Sequence, residues 1–373
     1  MSELTDLLRA PGAAVEADED IDAINLMYLE RGWGDGLPIV PPTAERVERM
    51  LAYCDRAWNE PIAKMAPRYG EATPLRLAAN AVMAGCRPEY FPIFMLAIEA
   101  MCEEPFNLYG IQATTHLCAP LVIVNGPAGR EIGINSGHNA FGPGTQSNAT
   151  IGRAIRLALL NIGGALPGSG DMSTFGAPSK FSYCVSENEE GSPWEPLHVE
   201  RGFPLDATTV TVIGAECPHN VNDHESLSAE GILTTIAGTM ATTGTNDVYY
   251  PAQPVVVMGP EHAQTVADGG FSKADAKRFL HERATLPLFK FSKENIERRF
   301  HVTFKARYAN ATEETAVPAV QRAEDIIITV IGGAGKHSAY IPTFGATKAV
   351  TRALKRKDGT LARSVREFLR TRD

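Results

Sequence analysis

The sequence predicts an α/β fold: a mostly parallel sheet with flanking helices, a helical N-terminal part and a C-terminal βα piece. Three observations lead there. Four short runs rich in β-branched residues, APLVIVNGP (119–127), TTVTVIGAE (208–216), QPVVVMGP (253–260) and DIIITVIGG (325–333), each end at a glycine, as buried strands feeding loops do. Three of the four are followed by helix-compatible sequence, the alternation expected of βα units. At 373 residues the chain exceeds one ordinary core, which suggests a helical region over 1–110, an α/β core over 111–285, and a linker with a βα segment over 286–373.

Taken in order, residues 1 to 20 read as a loosely held tail, and DIDAINLMYLERG (20–32) as a helix stopped by Gly32. RGWGDGLPIVPPT (31–43) is too rich in Gly and Pro for regular structure, and Asp35 within it fits either a site or a turn. Thr43 is placed to cap AERVERMLAYC, with Arg46 at the third helical position. Two helices follow over 74–85 and 88–104. A loop rich in Gly, Asn and Ser (134–148) leads into a helix from about Ala149 that carries Arg153 and Arg156. Two readings fit this loop, an anion cradle at a helix start or an elaborately capped turn. AEGILTTIAGTMAT (229–242), 259–268 and 272–286 read as helices, the last capped by Ser272 with Asp275. Residues 286 to 322 read as a linker, and RALKRKDGTLARSVREFLRTRD (352–373) as a solvated amphipathic helix docking by Leu354, Leu361, Val365 and Leu369.

Composition narrows the class. Apolar residues make up 44% and charged residues 21%, values of a globular chain. A net charge of −9 argues against a nucleic-acid partner, which requires a basic face. The six cysteines show no CxxC spacing, and the acidic N-terminus lacks the apolar segment of a secretion signal, so reduced thiols and a cytoplasmic location are expected. No apolar run reaches the roughly 18 to 20 residues of a membrane span. The expected partners are a small-molecule substrate, further copies of the chain in a homo-oligomer, and a second small protein subunit.

GGAGKHS (332–338) follows a strand and suggests a phosphate loop, but the residue after Lys336 is His337 instead of Ser or Thr, and the first glycine of that spacing is absent. Gly142-Pro143-Gly144 likewise fails the dinucleotide spacing. Neither nucleotide triphosphates nor NAD are indicated, and the place of 332–338 relative to any site stays open.

Chemistry-bearing residues crowd between Lys180 and Ser226, with His116 and His138 upstream. A histidine poised near neutral pH and oriented by a carboxylate is a general acid/base. The expected catalytic set is therefore His219, His224, Asp223, Glu187, Glu189, His116, His198 and Cys217, with Asp223 orienting His224. Thr115, Asn135, Ser136, Asn139, Asn148, Arg153 and Arg201 are expected to bind substrate, and Trp194 to form an apolar wall beside His198. His219 and His224 could also seat a divalent metal, although no HExxH spacing supports it. The set suits lyase or hydrolase chemistry on a small polar, carboxylate-bearing substrate. The alternative is a redox or partner-binding subunit.

The segments RGW-x-DGLP-x-VPPT (31–43), NAVMAGCRPEY (80–90), QATTH (112–116), ENEE-x-SPWEPLHVERGF (187–203) and HNVNDH (219–224) resemble those of a largely uncharacterised bacterial family. The resemblance runs over nearly the whole chain. It implies an association with small proteins carrying a Sec/Cys-Gly-Ser-Cys motif placed after a strand. Here the comparable loop reads Gly-Lys-His-Ser at 335–338, without a thiol or selenol. The resemblance implies that the polar segments form one site and supplies no reaction.

Overall fold

The computed structural model describes residues 15, 17 and 19–370. Most of the tail expected over 1–20 lies outside the described residues. In chain order the strands are β1 (Ala63–Met65), β2 (Gly70–Ala72), β3 (Ala119–Asn125), β4 (Cys184–Ser186), β5 (Thr209–Ala215), β6 (His219–Asn222), β7 (Val255–Met258), β8 (Thr285–Pro287), β9 (Ala316–Pro318), β10 (Ile327–Val330), β11 (His337–Ile341) and β12 (Val350–Ala353). The described residues divide into two compact units, one of those up to 188 with 196–214 and 347–370, the other of 189–195 and 215–346. The boundaries expected near 110 and 285 fall inside these units, because the chain enters the second unit and returns.

In the first unit the sheet order is β12-β5-β3-β4. β3 and β4 run parallel, with Val122 opposite Cys184, whereas β12 is antiparallel to β5, with Val350 opposite Val212. Every residue of β3 and β5 is buried, which explains their unbroken apolar runs. The helices Pro74–Ala84, Phe91–Met101 and Gln146–Asn161 supply Leu77, Phe91, Phe94, Ile98, Met101 and Leu157 to the core. The last of them begins three residues before the expected Ala149. At Gly152 a Cβ would stand 2.3 Å from Ser182 Oγ and 2.5 Å from the Tyr183 amide, so only glycine permits this approach.

In the second unit the order is β10-β7-β11-β6. β10 and β7 are parallel, and β11 is antiparallel to both β7 and β6. The helices Ala229–Met240, Pro260–Asp268 and Lys273–Arg283 bury Ile232, Leu233, Ile236, Met240, Val266 and Leu280 with Val256, Met258, Ile328 and Val330. Ser272 and Asp275 form the expected capping box.

Two expectations are corrected. Both four-stranded sheets are mixed, so the architecture is α/β without a mostly parallel sheet. A strand of non-adjacent sequence, β12 or β11, enters each sheet in the reverse direction. The C-terminal run is not an amphipathic helix. Asp358 accepts from the amide and hydroxyl of Thr360, Gly359 takes φ +88°, and the Arg356 amide bonds Thr360 O, which closes a turn. Leu354 before it and Ala362, Val365 and Phe368 after it are buried, whereas Leu361 and Leu369 are exposed.

Candidate functional site

In the first unit the parallel register sets Asn125, the last residue of β3, beside Glu187, just past β4, at the carboxyl ends where such sheets bind ligands. Glu187 is buried, and its Oε2 accepts from Asn125 Nδ2 at 2.6 Å and from the Leu197 amide at 2.7 Å. Its Oε1 is buried with no hydrogen-bond partner. The carboxylate thereby ties the short helix Leu197–Glu200 to the sheet end. His198, in that helix, is fully buried, with Nε2 3.2 Å from Leu205 O. His116 is half-buried, and Thr115 is exposed with its carbonyl engaged by Thr174.

As for the two readings of the loop 134–148, its polar side chains close on the loop itself, while the helix that follows has no side-chain cap at Thr145. Asn148 accepts from the Asn135 amide at 2.8 Å and donates to the carbonyls of Asn135 and Ala140. Asn135 bonds Gly137 N and His138 O, and Asn139 donates to Pro143 O at 2.6 Å. Arg153 is not directed at a substrate anion: its guanidinium forms a bidentate pair with Asp35, at 2.7 and 2.8 Å, and reaches Leu37 O. Arg201 donates to Ala349 O at 2.7 Å. Ser136 is half-buried on the same turn. These groups serve the scaffold, because a loop folded back on itself must satisfy its own buried carbonyls and amides.

Sequence reasoning missed a buried ion cluster elsewhere in this unit. Lys180 bonds both oxygens of Asp171, at 2.8 and 2.7 Å, and Arg156 lies 3.5 Å from the same carboxylate. Burial pulls both cations below their usual range, and Asp171 opposes it.

The second unit brings together a different set. His224 and His337 face each other with Nε2 atoms 3.2 Å apart and ring centres 5.0 Å apart at 82°. The Nδ1 of His337 lies 2.9 Å from Asn220 Oδ1. All three residues are exposed. The antiparallel register of β11 on β6, with His337 opposite Asn222, places them there. Lys336 donates to His224 O at 3.0 Å, and the Gly335 amide donates to Glu261 at 2.7 Å. The segment 332–338, rejected as a phosphate loop, therefore belongs to this cluster.

Beneath the pair lies His262, which is buried with both ring nitrogens engaged, Nδ1 with Ser338 Oγ at 2.8 Å and Nε2 with Asp223 O at 2.9 Å. Nε2 must donate to that carbonyl, which leaves Nδ1 to accept from the Ser338 hydroxyl. One buried ring thus clamps the turn carrying His224 to the strand carrying His337. No motif in its helix signals this role.

Other expected members sit elsewhere. Asp223 does not orient His224: its carboxylate is buried and accepts from the Ser226 amide at 2.9 Å and from Thr235 Oγ1 at 2.6 Å, bracing the turn. His219 is exposed and stands opposite Tyr340. Alternation along β6 sets its side chain on the face opposite to that of Asn220, so it does not join His224 as a metal pair. Among the described residues, no group of three or more His, Cys, Asp or Glu side chains is placed to hold a metal ion. Glu189 and Cys217 are half-buried. Trp194 packs on the core of the second unit and donates to Phe271 O at 2.9 Å. It falls in the second unit and His198 in the first. Burial raises the thiols of Cys86 and Cys102 to about 12 and that of Cys184 still further, which removes them from thiolate chemistry.

The second unit also contains a buried carboxyl that the sequence did not single out. Asp247 accepts from Tyr340 OH at 2.5 Å and from the amide and hydroxyl of Thr343 at 3.1 and 3.2 Å. Burial pushes its pKa up to about 7 against the downward pull of those hydrogen bonds.

Among the described residues no helix is long and apolar enough to cross a membrane. Comparison with models of protein families, with curated proteins and with solved structures gives no match.

Proposed function

We propose that this protein is an enzyme of the lyase or hydrolase type that moves protons on a small polar, carboxylate-bearing substrate, with His224 and His337 as its acid/base centre. The observation that carries the reading is the exposed imidazole pair with Nε2 atoms 3.2 Å apart. With Asn220 Oδ1 as acceptor, His337 Nδ1 carries a hydrogen. In the neutral ring its Nε2 then accepts from His224 Nε2–H, and His224 Nδ1 is left as a lone-pair base. A proton taken there can be relayed through the pair, since two imidazolium rings cannot face each other at this distance without repulsion. Lys336, one residue from His337, adds a positive charge suited to a substrate carboxylate.

The test is exchange and turnover of a panel of small hydroxy acids, acyl amides and esters in D2O, followed by proton NMR. His224→Ala and His337→Ala are each expected to lower the rate about 100-fold or more, the usual weight of a positioned acid/base group. His219→Ala is expected to be silent. Full activity in both of the first two variants would overturn the reading.

A second reading, a partner-binding subunit, draws on one observation. The helix Ile21–Glu30 buries none of its residues although Ile21, Leu26 and Leu29 are exposed on it. The resemblance noted above suggests a small thiol or selenol protein as the partner. Leu26→Asp with Leu29→Asp would then abolish a stoichiometric complex in size-exclusion chromatography with light scattering. A purified protein that remains alone with its natural small partner added would discard this reading.

A further inference from the structure

We propose that His224 and His337 bind one divalent transition-metal ion through their two Nε2 atoms, with water or a substrate carboxylate completing the coordination. The first argument is geometric. Two imidazole nitrogens about 2.0 Å from one tetrahedral ion lie about 3.3 Å apart, with ring centres about 5.2 Å apart. A straight N–H···N bond of the observed length would instead set the centres about 5.6 Å apart. The observed separations are 3.2 and 5.0 Å, closer to the pair of distances a shared ion would set than to those of a straight N–H···N bond.

The second argument is the support around the rings. Histidine ligands donate their other N–H to a carbonyl-type oxygen, which fixes the tautomer and presents the lone pair to the ion. His337 does so to Asn220 Oδ1 at 2.9 Å. His262 holds the two carrying segments together from below through Ser338 and Asp223 O. The pair is thus preorganised before an ion arrives, although both rings are exposed.

Imidazole donors select zinc, cobalt, nickel or copper over calcium or magnesium, which require oxygen ligands. Two protein ligands leave positions open, and the nearby ammonium of Lys336 weakens the attraction, so binding is expected in the micromolar range. An ion here would lower the pKa of a water it holds. With Nε2 of His224 on the ion, its Nδ1 would carry the ring hydrogen, so the base of the proposed function would be that water in place of His224 Nδ1, with the substrate carboxylate as a further ligand. This step rests on the proposed function, whereas ion binding does not.

The experiment uses the full-length, untagged chain treated with EDTA and then titrated with Co2+, followed by visible absorption, and with Zn2+, followed by calorimetry. One equivalent is expected to bind with the intense bands of low-coordinate cobalt. His224→Ala and His337→Ala should each abolish the one-equivalent phase, Asn220→Ala should weaken it about 10-fold, and His219→Ala should leave it unchanged. Far-UV circular dichroism of each variant reports its fold. No one-equivalent binding in the wild-type chain, or wild-type binding in both histidine variants, would overturn the proposal. If no ion binds while both histidine variants remain inactive, the imidazole acid/base reading stands and the metal falls.

Discussion

In the first unit, Asn135, Asn139, Asn148 and Arg153 close on backbone carbonyls and on Asp35. In the second, His224 and His337 close on each other at the surface. Both regions are polar, rich in turns and adjacent to strand ends. The difference lies in the partner. A side chain bonded to its own loop contributes to stability, and breaking that bond to engage a ligand would cost it. A titratable ring whose partner is another exposed titratable ring contributes little to stability and keeps its chemistry.

The comparison breaks most sharply at Arg153. Arg153→Ala leaves Asp35, whose side chain is only 3% exposed, without its counter-charge. The expected loss is about 3 kcal/mol, read from urea unfolding. A loss below about 1 kcal/mol, the value of a surface pair, would return Arg153 to the list of ligand-binding candidates.

A second effect concerns pH. The pKa of Asp247 rises on folding from an ordinary 3.8 to about 7, so the folded state favours the protonated form. Its contribution is fully present below the ordinary value and is lost as pH rises toward about 7. Asp247→Asn should flatten the thermal stability profile across that window, because an amide can still accept from Thr343 and donate to Tyr340 OH. An unchanged profile would show that other groups set the pH dependence.

The smallest expected effect sharpens the contrast from the other side. His224→Ala and His337→Ala should each shift stability by no more than about 0.5 kcal/mol in the same urea measurement, as exposed substitutions do. A loss like that of Arg153→Ala would make the pair a structural clasp and remove it as an active centre.

Much of the local structure was legible. Thr43 and Ser272 cap their helices, and Gly85 ends the helix from Pro74 in the left-handed conformation, because these signals act within a few residues. The four apolar runs are β3, β5, β7 and β10. Of the candidate site, His224 was legible, since a histidine beside Asn and Asp in a turn after a strand is distinctive. His337 was not, because 332–338 was judged against a phosphate loop, and its partner lies 113 residues away. His262 was hidden by an unremarkable helical context, and Asp247 by its four-residue helix.

What the sequence determined by itself is the set of local conformations and the burial of the main strands: caps, turns and continuous apolar runs depend on neighbours along the chain. Only the tertiary structure decided that the four runs divide between two mixed sheets, and that Asn148 and Arg153 serve the scaffold while His224 acquires His337 and Asn220. The physical reason is that strand pairing sets which distant residues meet. The register of β11 against β6 lies in the packing of both strands on a shared core, where Val221 and Tyr340 are buried.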